Sequence, residues 1–265
     1  MKYIPNLFTL LNLFFGCIAV ILILQNGIVA VDNPDGSQFV GMPERVGWAS
    51  LFIGLAGLVD FFDGLVARLF KATSPMGKQL DSLADLVSFG VAPGMILYQL
   101  LRLSFAGQKD GLDVSVGWLL PALLFPCCAA YRLARFNIDE SQAFGFKGMP
   151  APAAGLLIAS LPLIRWYATN DEVQELIVNR WVLYGLIVVV GWLMVSKLPL
   201  MALKFKESGL RSNWPKLALV VLAVLSAVFL KWLAVPVVFI FYIIVSLVAA
   251  AGGESVASAG ENKKI

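Results

Sequence analysis

Four aspartates, Asp60, Asp63, Asp81 and Asp85, fall within one short stretch of a chain that is only 14% charged. Spacings of three and four residues put Asp60 with Asp63, and Asp81 with Asp85, on one face of a helix each. The chain has no histidine, so any metal or acid–base chemistry here must use carboxylates. Such hard oxygen ligands suit Mg²⁺, Mn²⁺ or Ca²⁺ rather than zinc or copper. Arg68 follows the first pair, and its planar fork suits phosphate oxygens. Cations beside an arginine point to an anionic diphosphate as the ligand. Carboxylates paired with Arg68 and Lys78 are the plainer reading, but four at one depth exceed what pairing needs.

The elements that must position these residues are membrane helices. At 59% hydrophobic, the composition is that of an integral membrane protein. Apolar runs near 7–26, 48–69, 80–104, 116–136, 151–168, 180–203, 216–232 and 234–251 are about as long as a bilayer core requires. The expected fold is therefore all-α, a polytopic integral membrane protein of about eight transmembrane helices. Ser74-Pro75 and Gly77 mark a turn between the second and third helices. Asp60 lies eight residues before Arg68 and Asp85 eight after Gly77, so both sit on the order of 12 Å in from that end. A lone charged Asp at mid-membrane costs about 2.5–3.5 kcal/mol. Cations shared among the four offset both this cost and their mutual repulsion. Gly64 and Ala67 leave room for a ligand against the helix, or simply let helices pack closely.

Lys and Arg counts set the orientation. With the N-terminus cytoplasmic, 14 of the 20 Lys and Arg residues fall on the inner side. The expectation is a multi-pass protein of the cell (plasma or inner) membrane, with both termini and the aspartates at the cytoplasmic face. Residues 1–205 form a six-helix core, 206–251 an additional helix pair and 252–265 a disordered tail. The net charge of +3 gives no reason to expect nucleic acid. Cys17, Cys127 and Cys128 lack metal or disulfide spacing. Trp48, Trp118 and Trp181 stand at helix starts, as interfacial belts do.

The spacing Asp60-x2-Asp63-Gly64-x2-Ala67-Arg68-x8-Gly77-x3-Asp81-x3-Asp85 resembles the signature of the CDP-alcohol phosphatidyltransferase family at every fixed position. The likeness extends to "IPNLFTLLNLFFG", "GKQLDSLADLVSFGVAPG", "YRLARFN" and "FKGMPAPAAG", which resemble the serine-accepting branch. It covers roughly residues 3–165. The resemblance implies transfer of a phosphatidyl group from CDP-diacylglycerol to L-serine, giving phosphatidylserine and CMP. It implies divalent cations, Mg²⁺ or Mn²⁺ with Ca²⁺ able to stand in, two per site. Asp60, Asp63 and Asp81 would be metal ligands, and Asp85 the proton acceptor that also touches a metal. Pro5, Asn6, Thr9, Gly64, Ala67, Arg68, Ser74 and Gly77 would bind the CDP-lipid. It also implies a homodimer among membrane lipids.

The acceptor pocket is less well marked. Arg132, Arg135 and Lys147 are the cations placed to meet the serine carboxylate, or else the lipid phosphates; ordinary inner-side charge is the alternative. The residues leave open the same chemistry with glycerol phosphate, an inositol phosphate or choline. They also leave open a cation transporter, which would call for repeat symmetry or broken helices near the midplane; no internal repeat is evident.

Overall fold

A computed structural model describes residues 4–25, 29–32, 38–41, 44–69, 74–106, 114–139, 146–200 and 209–251. Ten α-helices cover most of them: α1 (Ile4–Leu24), α2 (Glu44–Leu69), α3 (Pro75–Asp85), α4 (Ala92–Ala106), α5 (Leu124–Ile138), α6 (Ala151–Tyr167), α7 (Asp171–Val178), α8 (Arg180–Val195), α9 (Gly209–Leu230) and α10 (Ala234–Ala251). A π-helical segment, Leu86–Val91, joins α3 to α4 without a break. The strands are confined to connections: β1 (Val29–Asp32) pairs antiparallel with β2 (Gln38–Gly41), and β3 (Phe146–Lys147) with β4 (Pro199–Leu200). The tail 252–265 lies outside the described residues.

The helical membrane architecture is as expected, but several span limits move. Among the described residues, four stretches are long and apolar enough to cross a membrane: Asn6–Leu24, Glu44–Val66, Pro75–Ala106 and Leu217–Val248. The bent pair α7–α8, turned by 62°, makes a fifth when counted as one span. The run expected at 116–136 is a composite, two 3₁₀ turns (Val116–Trp118 and Leu120–Leu123) leading into α5. Gly117 and Pro121 lie in those turns, where proline cannot supply an N–H to an α-helical ladder. The run expected at 180–203 stops at Val195, and Pro199 lies in β4 instead. The last stretch is two helices, α9 and α10, packed on each other and divided at Lys231, which takes φ +50°.

The column from Pro75 to Ala106 stands in the middle of the fold. Of its most apolar window, 61% is buried, against 28% and 33% for the first two stretches. Small residues let its neighbours approach. A Cβ on Gly155 of α6 would come within 2.8 Å of the Phe89 backbone, and one on Gly94 within 2.8 Å of Pro126 on α5. On the α1 side, a Cβ at Gly16 would collide with the Ser88 hydroxyl. Phe89, Ile96, Leu97 and Leu100 fill the centre with no exposed surface. At the α5–α6 connection, Gly148 adopts φ +80°, a conformation glycine tolerates best. Its N–H donates to Leu198 O at 2.8 Å, tying the entry of α6 to the exit of α8.

Candidate active site

The site grows out of two helix seams. On α2 the buried side chains Val46, Ala49, Ile53 and Ala56 recur at alternating steps of three and four, the period of one helix face. Asp60 and Asp63 continue that series toward the end of the helix. On α1 the matching seam is Thr9, Asn12, Gly16, Ala19 and Ile23, all buried. Opposite both, α3 opens with Ser74 as N-cap, whose Oγ accepts the Gly77 N–H at 3.0 Å, and with Pro75 in its first turn. This start aims Asp81 and Asp85 back toward α2.

Carboxylate oxygens of Asp60, Asp81 and Asp85 lie within 4.8 Å of one another. At that distance each pair of charges repels by about 3.5 kcal/mol at an effective dielectric of about 20. Asp63 stands beside this group. Thr9 Oγ1 donates to its Oδ2, while its Oδ1 is buried and has no hydrogen-bond partner among the described residues. Three converging carboxylates and an orphaned buried acceptor are all oxygen donors. A hard divalent cation fits this all-oxygen set better than zinc or copper does.

Of the residues expected at the CDP-lipid site, Asn6, Thr9, Ser74 and Gly77 stand at the facing starts of α1 and α3. A Cβ built on Gly64 meets nothing within 4 Å among the described residues, which leave the α2 face uncovered at that point. A Cβ on Gly77 would sit 3.1 Å from Ser74 Oγ and 3.2 Å from Asn6 Oδ1, which brings the start of α1 to the start of α3. Thr9 turns its hydroxyl to Asp63, so it orients a carboxylate. The side chains of Pro5, Ala67, Arg68 and Lys147 lie outside the described residues.

The two arginines expected near the acceptor both brace the fold. Arg132 is buried, donates from Nε to Met149 O at 3.1 Å and lies 5.5 Å from the Phe136 ring centroid. Arg135 donates from Nη1 to Val195 O at 3.0 Å. The structure also brings in Ser82, Asn137 and Asn12, and it turns Lys78 to a backbone carbonyl. Lys78 Nζ donates to Asn137 O at 2.8 Å, and Asn137 Nδ2 donates to Ser82 Oγ at 2.7 Å. This clasp ties α3, next to Asp81, to the end of α5. Asn12 donates from Nδ2 to Asp85 Oδ1 at 3.1 Å. Its place three residues after Thr9, on a seam continued by Gly16, was the available signal.

The stretch of sequence that supplies these clustered aspartates carries the whole signature. The sequence profile of the CDP-alcohol phosphatidyltransferase family matches residues 2–196, and the chain belongs to that family. It is 37% identical over 163 residues to a CDP-diacylglycerol–serine O-phosphatidyltransferase of Bacillus subtilis (strain 168), covering 61% of this chain and 76% of the relative. A protein of the same name from Helicobacter pylori (strain J99 / ATCC 700824) is 32% identical over 249 residues, 92% of this chain and 89% of the relative. One from Saccharomyces cerevisiae (strain ATCC 204508 / S288c) is 33% identical over 168 residues, 60% of this chain and 53% of the relative.

Proposed function

We propose that this protein transfers the phosphatidyl group of CDP-diacylglycerol to L-serine, giving phosphatidylserine and CMP. The observation that carries the reading is the convergence of Asp60, Asp81 and Asp85 within 4.8 Å beside the open face at Gly64. Relatives named for this reaction support it.

Asp60, Asp63, Asp81 and Asp85 would hold the divalent cations, Mg²⁺ or Mn²⁺, two per site by the family resemblance. When bound, these cations draw charge from the diphosphate and stabilise departing CMP. The serine hydroxyl oxygen bonds to the phosphorus that carries the diacylglycerol, the bond from that phosphorus to the CMP oxygen breaks, and Asp85 takes the hydroxyl proton. An ordinary carboxylate is a weak base, near pKa 3.9, so it acts as the hydroxyl acidifies during attack. Most of the acceleration then comes from positioning. Thr9 fixes Asp63. Gly64, Gly77 and Ser74 shape the diphosphate site, with Pro5, Asn6, Ala67 and Arg68 as further CDP-lipid contacts. Arg132, Arg135 and Lys147 form the acceptor side.

The excess of Lys and Arg on one side supports a plasma- or inner-membrane protein with this pocket facing the cytoplasm. A cysteine placed at Lys71 then reacts with an impermeant reagent only after cells are opened. Homodimer formation rests on the family resemblance alone. The direct test of the reaction is CMP release by purified protein from CDP-diacylglycerol against a panel of alcohols. Serine is expected to support release. Release with inositol phosphate and not with serine would overturn the acceptor and leave the transferase chemistry standing.

A further inference from the structure

Asp85 stands at the end of α3, and the π segment begins at the next residue. The wider π turn, closed by the Ala92 N–H on Val87 O, does not continue the α-helical ladder. What fixes the Asp85 side chain is therefore sought outside its own helix. It lies on α1. Asn12 has no exposed surface, and its Nδ2 donates to Asp85 Oδ1 at 3.1 Å across 73 residues of chain. Its backbone carbonyl accepts the Ser88 hydroxyl at 3.0 Å, and Gly16, one turn on, leaves no space between α1 and Ser88. Asn12 Oδ1 is buried with no partner among the described residues. A leucine would fill this apolar contact without that orphaned oxygen, so packing alone does not account for an amide here.

We propose that Asn12 is the positioning residue for Asp85: its amide, anchored at the contact of α1 with the π segment, holds one carboxylate oxygen and leaves the other to the aspartate pocket. The inference rests on the reading of Asp85 as part of the transfer site.

The test uses the full-length protein in detergent with Asn12→Leu, which keeps the volume, and Asn12→Asp, which keeps the shape but loses the donor. Each is made alone and combined with Asp85→Asn. A hydrogen bond to a charged group of this kind predicts a fall in kcat of about 10- to 150-fold, with KM for CDP-diacylglycerol held within about threefold. Because Asn12 acts through Asp85, Asn12→Leu adds no further loss in the Asp85→Asn background. Mn²⁺ binding followed by electron paramagnetic resonance gives the second readout: Asn12→Leu weakens Mn²⁺ when Asp85 is present and not when it is Asn. A Leu variant with unchanged kcat and Mn²⁺ affinity, or losses that add in the double variant, would overturn the role. If Asn12→Leu does not fold, Asn12→Asp decides by the same comparisons. A wild-type protein that binds no Mn²⁺ would instead refute the metal reading of the pocket, and the kinetic cycle would still judge Asn12.

Discussion

Two stretches of this chain, Pro75–Ala106 and Leu217–Val248, have the same length of 32 residues and both are apolar enough to cross a membrane. Their surroundings differ sharply. The first is 61% buried over its apolar window and the second 6%. The first carries Asp81 and Asp85 and receives hydrogen bonds from Asn12 and from the Asn137 clasp. The second keeps only Ser226 and Ser246 as buried polar residues among those described, and large side chains such as Val228 and Phe229 stay exposed on α9. Length and hydropathy identify a span. Close backbone approach and paired polar groups identify the span that does chemistry.

The largest effect expected from this contrast is at the aspartates. Asp81→Asn should lower turnover about 10²- to 10⁴-fold with the protein still folded, whereas Ser246→Ala in α10 should leave turnover within about twofold. Steady-state kinetics on both variants checks this, and comparable losses would erase the contrast. Arg135→Ala comes next. If its guanidinium meets the serine carboxylate, the KM for serine rises about 10- to 150-fold while CDP-diacylglycerol affinity holds. Arg135→Lys recovers little, since a point charge lacks the planar fork. A fall in donor affinity alone would move Arg135 to the lipid phosphate site.

Stability effects are smaller. Gly155→Val forces a side chain into the Phe89 backbone and should cost about 1–3 kcal/mol, read as a lower melting temperature. Gly185→Ala on α8 meets nothing within 4 Å among the described residues and should be neutral or gain up to about 1 kcal/mol. The smallest change is at the turn of the α9–α10 pair. Lys231 holds φ +50°, so Lys231→Gly should be neutral or slightly stabilising, with turnover unaffected.

The sequence made the hairpin and its aspartates legible because their spacing matches the helix period and the intervening turn carries Ser74, Pro75 and Gly77. The caps of α7 and α8 were also written locally. Asn170 Oδ1 accepts the Glu172 N–H at 2.9 Å and Asn179 Oδ1 the Trp181 N–H at 3.0 Å, yet hydropathy alone passes over so short a helix as α7. The partners of Thr9 and Asn12 were not legible, since they lie 54 and 73 residues away and only packing brings them together. No local signal marks the π segment either. It is seen through the glycines of α1 and α6 that press on Ser88 and Phe89.

Transfer to serine is proposed to depend on divalent cations held by the four aspartates, a dependence open to direct test. Its most direct measurement is phosphatidylserine formation by chelator-stripped protein, supplied with CDP-diacylglycerol and L-serine, as Mg²⁺ or Mn²⁺ is titrated back. No product is expected without the cation, with recovery on its return and no recovery in Asp60→Asn or Asp81→Asn. Full product formation in excess chelator, or by Asp81→Asn without added cation, would contradict it.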